Sequence, residues 1–251
     1  MKAVVAAFAL SVVLLHVVLL HAQAPGRVEY ACTPDDIESF GLGCTDEDPC
    51  PVFLDLSSVQ GSGARLLLSG NLHTANTTLY SVLLMSEDGG KTWTEPYKRV
   101  RSAALEQIQF FDFEHGWIGG QIIDPLAKDP FFLLTTDGGK TWRQSELFED
   151  SVFGTLSQFW FDSPTHGELV FDRSVGNAKK YDLYETTTGG ESWSPTQSGS
   201  TPIHLKNAPA KPDAIFRVRT DAATKTFRIE RRGASNWELV AGFLVHVADC
   251  Q

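Results

Sequence analysis

The chain has 251 residues and a formal net charge of −10, with 31 acidic residues against 21 Lys and Arg. With no basic cluster, this balance argues against a phosphate backbone or an anionic membrane surface as a partner. A chain of this length is ample for one undivided all-β domain.

The first segment reads as a leader. Met1 and Lys2 give a positive start, and Ala3 to Leu20 is almost wholly apolar, broken only by Ser11 and His16. A small-residue zone around Ala22 follows, so residues 1–22 are expected to be a signal peptide cleaved after Ala22. The alternative is an uncleaved membrane anchor, because the apolar run approaches the span of a bilayer. With cleavage, the protein is expected to be secreted, periplasmic or otherwise extracytoplasmic, and not inserted in a membrane.

Residues 23–51 form a cysteine-containing segment with Cys32, Cys44 and Cys50; Cys250 lies at the far end. An exported chain meets an oxidising compartment, so two disulfides are expected, from three possible pairings. If all four pair, at least one bridge joins the two ends. Cys44 and Cys50 are close enough to close a small loop, which leaves Cys32 for Cys250. That long bridge would stabilise by roughly 4–5 kcal/mol through loop entropy. No C-x-x-C suggests zinc. Asp46-Glu47-Asp48 lacks the alternating ligand spacing of a calcium loop. No metal or cofactor is expected.

Residues 52–251 carry an internal repeat. Residues 86–93 read SEDGGKTW, 135–142 TTDGGKTW and 186–193 TTTGGESW, and a degenerate copy at 230–237 reads ERRGASNW. The tryptophans Trp93, Trp142, Trp193 and Trp237 are 49, 51 and 44 residues apart, the length of a four-stranded propeller blade. His115 precedes Asp137 by 22 residues and His166 precedes Thr188 by 22, so the context repeats as well. Each copy has an apolar run, a glycine turn and a β-prone segment, the pattern of a hairpin. The expected blades are 52–98, 103–148, 153–198 and 200–241. The first has strands near 52–57, 64–70, 79–86 and 91–97. The run 243–249 is expected to complete a blade with residues such as 27–31. The fold class is therefore all-β, a small β-propeller of four to five four-stranded blades.

The pattern S/T-x-D-x-G-x-T-W resembles the Asp-box, or BNR repeat, of sialidases and many other propellers. With the upstream stretch FFDFEHGWIGG it resembles the photosystem II stability and assembly factor type of Asp-box propeller, over roughly residues 52–240. The resemblance implies a structural box between the third and fourth strands of each blade, away from the functional face. It assigns that role to Ser86, Asp88, Gly90 and Trp93, to Thr135, Asp137, Gly139 and Trp142, and more loosely to Thr186, Thr188, Gly190, Trp193 and Trp237. Thr188 and Arg232 depart from the pattern, since neither supplies the carboxylate.

A catalytic set is not legible, so no catalytic residue is assigned. The sialidase R-I-P stretch is missing: Phe227-Arg228-Ile229 runs into Glu230. GGKT at 89–92 and 138–141 lacks the upstream glycine of a phosphate loop. Asp112, Glu114, Asp162 and Asp172 are candidates for a glycosidase pair, weighed against plain turn residues. Asn76-Thr77-Thr78 is a glycosylation sequon. The expected function is a non-enzymatic protein-binding or assembly module of the cell envelope. The alternative is a carbohydrate-binding or glycoside-hydrolysing propeller.

Overall fold

The computed structural model describes residues 24–209 and 214–251; the expected signal peptide, residues 1–22, lies outside the described residues. Almost all of the regular secondary structure among the described residues is strand. One short helix, α1 (Pro34–Ser39), starts at Thr33, whose hydroxyl accepts the Asp36 N–H while the Asp36 carboxylate accepts the Thr33 N–H. This reciprocal pairing satisfies two free donors of the first turn.

Four antiparallel sheets follow in chain order. The first contains β1 (Cys50–Ser62), β2 (Arg65–His73) and β3 (Thr78–Ser86). The second is β4 (Ala103–Phe110), β5 (Gly116–Ile123), β6 (Ala127–Thr135) and β7 (Arg143–Glu146). The third is β8 (Thr155–Phe161), β9 (Gly167–Asp172), β10 (Tyr181–Thr186) and β11 (Ser194–Gly199). The fourth is β12 (Phe216–Asp221), β13 (Thr226–Arg232) and β14 (Trp237–Leu244), and β15 (His246–Cys250) joins the first sheet beside β1. Successive antiparallel sheets packed face to face make this a small β-propeller.

Three strand expectations need correction. The fourth strand near 91–97 is reduced to one bridge, Thr94 to Met85. Pro96 has no N–H to continue that ladder, whereas Pro195 in β11 falls at a bulge where the lack is tolerated. The run 243–249 does not pair with residues 27–31. It bends at Val245, leaving β14 for β15, which pairs with β1 as Cys50↔Cys250 and Val52↔Ala248. From the N-terminal side, Gly26 bridges Phe243 in parallel. The fourth sheet has three strands, not four. Its degenerate glycine turn lies between β13 and β14, so β12 takes the second place of a blade, and the first place is held by the extended residues around Ile203.

The core is divided among the sheet interfaces, as expected when no sheet can bury both faces alone. Between the fourth and first sheets lie Val52, Leu54, Leu68, Leu84, Ile229, Phe243 and Val247. Between the first and second lie Leu67, Leu83, Ile118, Phe131 and Trp142. Between the second and third, Phe132, Phe159, Phe161 and Phe171 are fully buried. At the last boundary the core is small, with Ile203 and Leu205 packing on Val170 and Leu183.

Near the axis, side-chain amides replace backbone ladders. Gln109 donates to the Phe161 carbonyl at 2.7 Å and accepts its N–H at 2.8 Å. Gln107 makes the same pair of bonds with Phe159, and Gln158 donates to the Ile203 carbonyl. Each bond satisfies a backbone group that would otherwise be left unpaired beside the axis.

Two disulfides are present, Cys32–Cys250 and Cys44–Cys50. The first ties α1 and its flanks to the last strand. Asp36 is buried against the first sheet and accepts the Tyr80 hydroxyl at 2.6 Å. Burial works to raise its pKa, but bonds from Tyr80 and Thr33 win and lower it. Burial and the same bond push Tyr80 up to about 12. Among the described residues no helix is long and apolar enough to cross a membrane.

Candidate functional site

The strands alternate in direction, so the propeller has two distinct ends. One carries the turns between first and second strands and the glycine turns before each tryptophan. The other carries the turns between second and third strands and the links between sheets.

At the first end, two glycine turns are near copies. The Ser86 hydroxyl accepts the Gly90 N–H and donates to Asp88 Oδ1, which accepts the N–H groups of Lys91 and Thr92; Thr92 Oγ1 donates to Asp88 Oδ2 at 2.6 Å. Thr135, Asp137, Gly139, Lys140 and Thr141 repeat every bond. The indole N–H of Trp93 donates to the Gly90 carbonyl, and that of Trp142 to the Gly139 carbonyl at 2.8 Å. Gly90, Gly139 and Gly190 hold φ near +90° (90°, 89° and 94°), where a side chain would be strained. At Asp88, bonds from Thr92 hold the carboxyl far below the usual carboxylate range. At Asp137 burial opposes, yet the bonds bring it down to about 2.

In the third copy Thr188 Oγ1 accepts one backbone N–H, that of Ser192, and shares hydrogen bonds with the Thr186 and Ser192 hydroxyls, while Trp193 Nε1 is buried without a partner; its ring stacks on Phe132 at 5.3 Å. In the fourth, the Gly233 N–H goes to the Asn236 carbonyl, and the guanidiniums of Arg217 and Arg232 lie over the Trp237 ring.

The sequence-derived acidic candidates do not converge. The Asp112 carboxylate accepts the N–H groups of Glu114 and His115, capping its turn. Asp162 binds His166 Nδ1 at 2.6 Å, and His166 Nε2 reaches Glu185 at 2.9 Å. The Asp162 bond is the main cause that raises the His166 pKa. Asp172 sits at the opposite end and accepts the Ser174 N–H. The 46–48 run is an exposed loop closed by Thr45, and the described residues contain no cluster of three or more His, Cys, Asp or Glu suited to a metal. Arg228 and Arg217 pair with Glu230.

Each end has a cavity. The groove at the glycine-turn end, about 530 Å³, runs between the first two sheets beside Arg65, Glu87, Phe110, Phe113, Glu114 and Lys140. Phe113 is 78% exposed and Phe111 47%. Two large apolar side chains on one turn are costly to leave in water.

The second cavity, about 680 Å³, is a polar funnel at the other end, lined by Asp55, Asn71, His73, Arg101 and Glu106 and rimmed by the sequon. Glu106 opens onto the funnel, yet protein surrounds it. Removal from bulk water, then the Asp55 charge, push its carboxyl up; a bond from Ser57 works the other way. Asp55, Asn71 and Glu106 were not among the sequence candidates. Their signal is periodicity: Glu106 stands 49 residues after Ser57 and 51 before Ser157.

A β-propeller with a groove at one end and a funnel at the other is the class of protein these features define. No family model matches the chain, and no curated protein matches it. Solved structures do. One is of YCF48 bound to D1 peptide, 19% identical, with a TM-score of 0.42, over 76% of this chain and 56% of that one. Another is a GH74 xyloglucanase from Xanthomonas campestris, 14% identical, TM-score 0.39, over 74% and 28%. A third is the α-L-arabinofuranosidase Arb93A from Fusarium graminearum in complex with an iminosugar inhibitor, 15% identical, TM-score 0.38, over 78% and 62%. This chain thus spans little more than half the length of the first. No ligand or chemistry passes from them to this chain.

Proposed function

We propose that this chain is an exported, non-enzymatic binding module that holds a protein partner at the cell envelope, with the glycine turns acting as structural Asp-boxes whose exposed Glu87 and Lys140 also line the binding face, a departure from the placement that the resemblance implies. The observation that carries this reading is the groove at the glycine-turn end. It combines exposed Phe113 with charges of both signs, Arg65 and Lys140 against Glu87 and Glu114, and Phe111 is exposed beside it on the same turn. Apolar anchors rimmed by mixed charge suit an extended segment of a protein. The test is capture of envelope proteins by the mature chain, with Phe113→Ser and Phe111→Ser variants. The partner is expected to be lost from the variants while their melting temperature stays unchanged. Equal capture by wild type and variants would move the partner site off this groove.

A second reading, a carbohydrate-active protein, is favoured by Asp55 and Glu106, two interacting carboxylates in the funnel at the other end.

A further inference from the structure

The inner strands of the first three sheets share an irregularity. Each ladder to the second strand skips one residue: between Leu56 and Ser58 in β1, Leu105 and Gln107 in β4, and Leu156 and Gln158 in β8. The extra residues are Ser57, Glu106 and Ser157, separated by the same 49 and 51 residues as the first three tryptophans. A bulge re-aims a side chain out of the ladder, and bulges concentrate beside binding sites. Here the repeat carries a bulge at one fixed place on each inner strand, and in the second sheet it carries a carboxylic acid that faces the funnel.

Around Glu106 the polar groups are incompletely paired. Neither Asp55 nor Glu106 has an ion-pair partner among the described residues. Asn71 lies opposite Asp55 in the β1–β2 ladder, so both side chains leave the same face of the sheet. Asn71 is 8% exposed and lines the funnel, and its amide has no hydrogen-bond partner among the described residues. Its polar atoms face the open funnel, where the hydroxyls of a ligand can complete them in place of water. At the rim, His73 Nδ1 donates to the Thr74 carbonyl at 2.7 Å, which leaves Nε2 as an acceptor. Arg101 lies 4.1 Å over the Phe40 ring with its donors beside the opening.

We propose that this funnel binds a neutral polyhydroxylated ligand, the end of an oligosaccharide chain, through Asp55, Asn71 and Glu106 with His73 and Arg101 at the rim. The proposal rests on the carbohydrate reading above and gives it a site and a ligand class. Hydroxyls both donate and accept, so they match two acidic acceptors, an amide that does both, a ring nitrogen that accepts and a guanidinium that donates. A divalent cation needs about six to eight oxygen ligands, and the guanidinium would oppose it. An amine would suit the carboxylates but leave the donors of Asn71 and Arg101 unmatched. At about 680 Å³ the funnel falls in the range of small-ligand sites, about 300–1,000 Å³, and far exceeds one ion.

The experiment is titration calorimetry of the mature, oxidised chain with cellotetraose, xylotetraose and maltotetraose, each raised to about 10 mM, above the Kd of roughly 1 mM that a weak single site gives. At least one sugar is expected to bind, and Asn71→Ala and Glu106→Gln are each expected to weaken it about tenfold or more. Leu239→Ser, on an exposed position of β14 outside both cavities, is expected to leave binding unchanged. Thermal melting of each variant separates a lost site from a lost fold. If both funnel variants fold and bind as wild type does, the site is wrong while the carbohydrate reading stands. If none of the sugars binds wild type, the proposal and that reading both fall.

Discussion

The exchange of hydroxyl for carboxylate at Thr188 removes the group that organises the first two glycine turns, and its effect is local. Asp137 gathers two N–H groups and two hydroxyls, whereas Thr188 holds one N–H and the hydroxyls of Thr186 and Ser192. The tryptophans differ in step: Trp142 donates to a carbonyl, and Trp193 leaves its N–H without a partner. Trp142→Phe is therefore expected to lose a buried hydrogen bond and about 1 kcal/mol more than Trp193→Phe, measured by urea unfolding. Trp142→Ala is expected to cost about 3–5 kcal/mol while leaving binding by the folded fraction intact; a well-folded variant that had lost binding would make the turn functional. The same carboxylates set acid behaviour. The folded pKa of Asp137 lies below its unfolded value of about 3.9, so its contribution is complete above that value and fades as pH falls toward about 2. Asp88 moves in the same direction. Asp137→Asn is expected to flatten the loss of stability over this acid range. His166 has the opposite sign. Its folded pKa is raised, so its contribution is present below about pH 6.5 and is lost as pH rises through the folded value. Asp162→Asn is expected to reduce that dependence, with Glu185 still holding the ring; an unchanged stability profile near neutrality would show that the pair does not bear on folding.

At the scale of elements, the joints between sheets are made of side chains, because neighbouring blades share no ladder. Gln109 is the clearest joint, buried and bonded both ways to Phe161. Gln109→Leu keeps the volume roughly but orphans the N–H and carbonyl of Phe161, and is expected to destabilise by about 2–3 kcal/mol. Gln109→Glu would test the direction, because a carboxylate still accepts the N–H yet repels the carbonyl; it too is expected to destabilise. Hydrogen exchange at Phe161 reports the joint directly, and unaltered protection in Gln109→Leu would show that water or relaxation replaces the amide. The turns were legible at this scale, because D-G-G followed by Thr-Trp is a contiguous signal. The inner-strand glutamines and the bulges were not. A bulge is a mismatch between two strands and exists only once both have paired. Glu106 looks like any exposed strand residue until Gln107 is found to take the next rung.

For the whole molecule, the weak boundary lies between the third and fourth sheets. Ile203 and Leu205 fill it with no ladder of their own, whereas the seam between the fourth and first sheets has a large core, the β14–β15 run and the Cys32–Cys250 bridge. The bridge closes a loop with a sequence separation of 218. Removing it by Cys32→Ser with Cys250→Ser is expected to cost up to about 5 kcal/mol, read as a lower denaturant midpoint. Removing Cys44 and Cys50 together is expected to cost less, because their separation is only 6. Limited proteolysis of the oxidised chain is expected to nick before it releases anything, since each sheet buries its faces on its neighbours. Release of a stable 100-residue half would contradict one folding unit.

Local chemistry was enough to read four repeats, their hairpin turns and an all-β fold, because a glycine turn and its tryptophan act within eight residues and recur at blade spacing. Of the acidic candidates it also offered, Asp112 and Asp172 are turn residues held by their own backbone neighbours and Asp162 is held by the His166 ring and the Asn207 amide, and contiguity alone gave no means of separating them from a site. Which groups meet in space was decided by the tertiary structure. Asp55, Asn71 and Glu106 come from three strands of two sheets and share the funnel because ladder register and a bulge bring them to it. The closing strand changed partner for the same reason. Residues 246–250 pair with β1 rather than with residues 27–31, since the pairing depends on where the fourth sheet packs, and no local pattern in the chain encodes that.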